Sequence, residues 1–107
     1  MEKKKVLFVC TANLLRSVTA EIIFSQWDNL DVKSAGTFRF ANNVITIELI
    51  EWADIIFAMQ DHHKKDILKL VPKSENKIIV LNIPDIYDRM DPNLVRILKE
   101  KVPRFLQ

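Results

Sequence analysis

The sequence predicts an open α/β fold: a parallel four-stranded sheet with helices on both faces, doubly wound, and a ligand site beyond the C-terminal strand ends. Three observations carry this. Val6-Leu7-Phe8-Val9-Cys10 is a continuous β-branched and aromatic run, as in strands buried on both faces. It passes through polar Thr11-Ala12-Asn13 into apolar residues at Val18, Ile22, Ile23 and Trp27, the opening of a βαβ unit. Strand-like and helix-like segments then keep alternating to the end of the chain.

Taken in order, Val6–Cys10 is the first strand and Arg16–Asp28 the first helix. Asp31–Ser34 is a short second strand, ended by Ala35 and Gly36, the only glycine. Val44–Trp52 is predicted as the second helix, with Asn43 a candidate N-cap and Ile45, Leu49 and Trp52 on one face. Asp54–Met59 is the third strand and Asp61–Leu70 the third helix, with Pro72 marking its end. Lys77–Leu81 is the fourth strand. The last helix starts at Asp91 as N-cap and Pro92 at the first helical position, with an apolar stripe of Leu94, Val95, Leu98 and Val102.

A length of 107 residues, 49% hydrophobic and 28% charged, fits one globular domain spanning 1–107. The formal charge of +2 is too small for a protein built around a polyanion, so no nucleic-acid partner is expected, and Lys3, Lys4 and Lys5 read as solvent-facing. One cysteine makes no internal disulfide, which points to a cytoplasmic setting. Val6–Val9 is shorter than a signal-peptide core, and no run reaches the roughly 18 apolar residues of a membrane span, so no membrane partner is expected either. A monomer or weak dimer is the default, since no exposed apolar stripe stands out.

The chemistry centres on Cys10-Thr11-Ala12-Asn13-Leu14-Leu15-Arg16-Ser17. A loop between a buried strand and a helix N-terminus wraps backbone N–H groups around a concavity where the helix dipole also favours negative charge. Arg16 adds a bidentate fork to two oxygens of an oxyanion held there. Cys10, at the base of the loop, feels both positive sources, which favour the nucleophilic thiolate over the thiol. A phosphate ester bound above it is open to attack at phosphorus.

Val6–Cys10 followed by Asn13, Arg16, Ser17, Ala20 and Glu21 resembles the N-terminal signature of the low-molecular-weight protein tyrosine phosphatases. Ser34-Ala35-Gly36-Thr37, Asp54-Ile55-Ile56-Phe57-Ala58-Met59 and Pro84-Asp85-Ile86-Tyr87 resemble later segments of the same family, in the same order. The resemblance implies a metal-independent phosphomonoester hydrolase, without cofactor, acting on a phosphorylated protein or a small aryl phosphate. It makes Cys10 the nucleophile, Arg16 the phosphate clamp and Asp85 the general acid and base. Ser17 would stabilise the thiolate, and Asn13 would hold the loop by bonding to Ser34. Thr11, Ala12, Asn13, Leu14, Leu15 and Ser17 line the substrate site, with Tyr87 either at the cleft mouth or covering the domain edge.

Four departures from the family pattern bear on this. Position 12 is Ala where the family usually has Gly, a source of strain if the loop needs positive φ there. Position 15 is Leu where many members have a second cysteine, so Cys10 lacks a neighbouring thiol for a protective disulfide. Position 18 is Val instead of the frequent Pro, a minor change at a first helical turn. The chain is also short between Thr37 and Asp54 and around Asp85, where the substrate cleft is framed. An arsenate reductase resolved by an external thiol, a phosphocarrier, and a non-catalytic anion-binding module on the same fold stay open as alternatives.

Asp88 and Asp91 compete with Asp85 for the acid role, Asp91 having a structural use as N-cap. His62 and His63 are adjacent, point about 100° apart on a helix, cannot chelate one metal together, and read as a solvated helix start. Trp27 and Trp52 read as core.

Overall fold

The computed structural model describes residues 2–106. Its elements are β1 (Lys4–Cys10), α1 (Arg16–Phe24), β2 (Leu30–Gly36), α2 (Ile47–Trp52), β3 (Ile55–Ala58), α3 (Asp61–Leu70), β4 (Ile78–Val80) and α4 (Pro92–Lys101). Short 3-10 helices at Pro72–Lys77 and Pro103–Phe105 complete them. The four strands form one parallel sheet in the order β2-β1-β3-β4.

The unbroken apolar run of β1 follows from its central position, because both faces are covered. Val6 and Phe8 join a core built with α1 and α4, whereas Leu7 and Val9 join a second core with α2 and α3. Phe8 stacks on both Phe24 and Phe57, at 5.6 and 5.3 Å between ring centroids.

Several boundaries differ from the sequence expectation. β1 and β2 run longer, and their ladder continues through Cys10 opposite Gly36. β3 and β4 are each shorter by one residue at either end. α1 stops at Phe24 instead of Asp28, because the chain must reverse through residues 25–29 to enter β2; Trp27 N donates to Phe24 O and Leu30 N to Trp27 O. Trp27 is therefore partly exposed, set edge-on against Phe24, and is not core. Trp52 is also only half-buried, with Lys33 Nζ 4.5 Å over its ring.

α2 begins at Ile47, not Val44. A lone bridge between Val44 and Gly36 keeps that stretch extended, and Thr46 is the N-cap, accepting from Leu49 N at 3.1 Å. Asn43 is no cap; its amide donates to Ser34 O at 2.7 Å. α3 keeps its expected bounds, and α4 is capped as expected, Asp91 accepting from Asn93 N at 2.8 Å ahead of Pro92.

Strand order reverses between β1 and β3: from β1 the chain moves outward to β2, then crosses back to β3 and β4. The C-terminal ends of β1 and β3 thus flank the switch point where open α/β sheets bind ligands. Cys10 ends β1, and Met59-Gln60 follows β3.

Candidate active site

Residues 11–15 leave β1 as an irregular loop and enter α1 at Arg16. Among the described residues, no backbone N–H from Thr11 through Val18 donates to a protein acceptor. A run of free N–H groups curling into a helix N-terminus is the arrangement that favours an anion. The positive φ falls on Asn13, at 56°, and not on Ala12. Asparagine tolerates that region, so Ala in place of Gly at position 12 carries no strain of this kind.

Asn13 is buried, and its amide nitrogen donates both hydrogens, to Ser17 Oγ at 2.8 Å and to Ser34 Oγ at 2.9 Å. Each serine then has its own hydrogen left over. Ser34 gives its hydrogen to the Glu21 carboxylate. Ser17 Oγ lies 2.9 Å from Cys10 Sγ, within hydrogen-bond distance, and either atom can be the donor. The network therefore ends on the buried Cys10, and a thiolate there would accept the Ser17 hydrogen.

Arg16 is only 2% exposed. Its Nη1 donates to Gln60 Oε1 at 2.6 Å and to Ile83 O at 2.8 Å, and its Nε faces Asp85 Oδ1 at 3.8 Å. The cation, unfavourable beside a helix N-terminus alone, is thus oriented by groups following β3 and β4. Asp85 is 63% exposed at the side chain. Asp91 caps α4, and exposed Asp88 offers its backbone carbonyl to Asp91 N. Of the three acids, Asp85 alone is brought beside Arg16. Tyr87 is half-buried and packs against the α1–α4 core.

Sequence reasoning missed several parts of the site. His63 is not solvated: it is fully buried, with Nε2 2.8 Å from Thr11 Oγ1 and Nδ1 accepting from Gln60 N at 3.0 Å. Burial first, then the neighbouring His62 and Arg16, lower its pKa from 6.5 to about 3, so the ring is neutral. No local signal marks this, since helix periodicity at 61–70 is silent about which residue faces the switch point. Gly36, a strand end and part of the Ser34–Thr37 segment in the sequence, also makes room for the loop. A Cβ there would sit 2.4 Å from Thr11 O and 2.6 Å from Ala41 Cβ. That absence lets residues 37–42 close on the loop, with Thr37, Phe38 and Asn42 N donating to the carbonyls of Cys10, Thr11 and Ala12.

Exposed apolar groups surround the cradle, contrary to the expectation that none would stand out. Leu14 rises from the loop, Phe38 and Phe40 form an edge-on pair at 5.5 Å, and Ile86, 73% exposed, follows Asp85. Arg39 lies over the Phe40 ring at 4.8 Å, and Arg89 Nε donates to Leu14 O at 3.1 Å. Among the described residues, no group of three or more His, Cys, Asp or Glu is arranged to hold a metal. No described helix is long and apolar enough to cross a membrane.

The family model for low molecular weight phosphotyrosine protein phosphatases matches residues 5–52, which hold the whole cradle. A protein-arginine-phosphatase of Bacillus subtilis is 29% identical, over 71% of this chain and 69% of the relative. A low molecular weight protein tyrosine phosphatase of Streptococcus pyogenes superposes with a TM-score of 0.80 at 19% identity, covering 97% of this chain and 94% of that one. The tyrosine phosphatase Wzb of Escherichia coli K30, in complex with phosphate, superposes at 0.78 with 20% identity, covering 95% of each chain. Fold, loop and relatives together define a cysteine-dependent phosphatase. Within that class, the chain is most like the low molecular weight phosphotyrosine protein phosphatases, the family whose model its residues 5–52 match.

Proposed function

We propose that this protein hydrolyses phosphotyrosine side chains through a phosphocysteine on Cys10. The observation that carries the reading is the run of unpaired N–H groups from Thr11 to Val18, bounded by buried Cys10 and buried Arg16. Cys10 Sγ attacks phosphorus, the bond from phosphorus to the tyrosine oxygen breaks, and Asp85 gives that oxygen a proton. Water, deprotonated by Asp85, then cleaves the S–P bond, releasing inorganic phosphate and the thiolate. Arg16 and the loop amides stabilise the charge on the equatorial oxygens in both steps. Ser17 keeps sulfur a good nucleophile and leaving group by donating to it.

The rim supports an aryl substrate. Leu14, Phe38, Phe40 and Ile86 offer apolar surface for a ring, whereas Arg39 and Arg89 disfavour a cationic guanidinium. A second reading, a phosphoarginine substrate, is favoured by the name of the Bacillus subtilis relative. Hydrolysis of p-nitrophenyl phosphate in the presence of a chelator, lost in Cys10→Ser, tests the mechanism. Matched phosphotyrosine and phosphoarginine peptides then decide the substrate. No turnover with phosphate still binding returns the choice to a carrier, an arsenate reductase or a binding module.

A further inference from the structure

The His63 ring is buried, sits against the phosphate loop, and has no part in the mechanism above. Its hydrogen bonds fix its chemistry. Gln60 N can only donate, so Nδ1, 3.0 Å away, is an acceptor without hydrogen. A neutral ring carries one proton, which must then be on Nε2, 2.8 Å from Thr11 Oγ1. The ring therefore donates and the Thr11 hydroxyl accepts. Thr11 spends a lone pair on His63 and keeps its own hydrogen for another acceptor, at the first position of an anion loop.

We infer that His63 is a positioning residue of the phosphate loop: as the Nε2–H tautomer it turns the Thr11 hydroxyl into an extra donor toward the bound oxyanion. The inference rests on the phosphate-binding reading of the loop. The first turn of α3 then governs both ends of the cradle. His63 orients Thr11 next to the nucleophile, and Gln60, whose backbone fixes the His63 tautomer, braces Arg16 through its side chain at 2.6 Å. Protonating the ring would require Nδ1 to give up the Gln60 N–H, and burial beside His62, 3.9 Å away ring to ring, opposes it.

Two isosteric halves of the ring separate this role from simple packing. In His63→Asn a side-chain oxygen can replace Nδ1 as the acceptor for Gln60 N, but nothing reaches Thr11. In His63→Gln an amide nitrogen can replace Nε2 as the donor to Thr11. Binding of inorganic phosphate is measured by calorimetry for wild type, both variants, Thr11→Val and the double variant Thr11→Val/His63→Asn, with folding checked by thermal melts. The expected result is about tenfold weaker phosphate binding in His63→Asn and in Thr11→Val, with no further loss in the double variant. His63→Gln recovers most of the affinity. In wild type, 15N spectra of the imidazole place the proton on Nε2 across about pH 5 to 8.

Wild-type phosphate affinity in folded His63→Asn, losses that multiply in the double variant, or a proton on Nδ1 would each overturn the inference. Failure of the wild type itself to bind phosphate would instead remove the reading it rests on.

Discussion

Ser17 Oγ stands 2.9 Å from Cys10 Sγ and receives a hydrogen bond from Asn13, which leaves the serine hydrogen free to be given to a Cys10 thiolate. In the proposed mechanism that hydrogen stabilises the nucleophile, with Asn13 holding the serine oxygen from its other side. Ser17→Ala removes the donor while leaving the loop backbone in place. Alkylation of Cys10 by iodoacetamide at neutral pH should slow about tenfold, the scale of one hydrogen bond to a charged group. An unchanged rate would mean the serine does not favour the thiolate.

Asp85 faces Arg16 Nε from an exposed loop, so replacing it should cost almost no stability; exposed ion pairs contribute about 1 kcal/mol at most. Asp85→Asn should lower turnover of a phosphotyrosine peptide about 100-fold or more. Turnover of p-nitrophenyl phosphate should fall less, because its leaving oxygen needs little protonation. Equal rates for wild type and variant on both substrates would pass the acid role to another group.

At Gly36 even one methyl group meets backbone. Gly36→Ala should destabilise the protein by about 1 to 3 kcal/mol, the usual cost of overpacking, because Thr11 O and Ala41 Cβ both have to move. Since Thr11 belongs to the cradle, phosphate affinity should drop along with the denaturation midpoint. A variant that melts like wild type and binds phosphate normally would show that residues 37–42 yield freely.

Acid stability should report the neutral His63. Its pKa is about 3 when folded and 6.5 in the unfolded chain, so between these values the unfolded state binds the extra proton. Its contribution is complete above about pH 6.5 and is lost progressively as pH falls toward 3, at up to about 1.4 kcal/mol per pH unit. Urea titrations across this window should show a shallower pH dependence in His63→Gln than in wild type. Parallel slopes would mean the ring is charged in the fold.

The fold was legible because its signals are local. A strand buried on two faces must be apolar throughout, as Val6–Cys10 is, and Asp91-Pro92 announces a helix start by capping chemistry alone. Cys10, Arg16 and the loop between them were equally readable, since strand, loop and helix N-terminus are contiguous. The start of α2 was not, because a bridge from Val44 to Gly36, set by the β1–β2 edge, overrides what Asn43 suggests locally.

By itself, then, the sequence determined the parallel α/β order, the Cys10-to-Arg16 loop and the helix capped by Asp91. Tertiary structure alone decided that His63 is a buried neutral donor to Thr11, that Gln60 and Ile83 hold Arg16, and that Asp85, not Asp88 or Asp91, lies beside Arg16. Each of these contacts joins β1–α1 to a segment between 44 and 69 residues away in the chain, across the point where strand order reverses. Periodicity and capping act within a few residues, whereas a switch point exists only once the sheet is assembled.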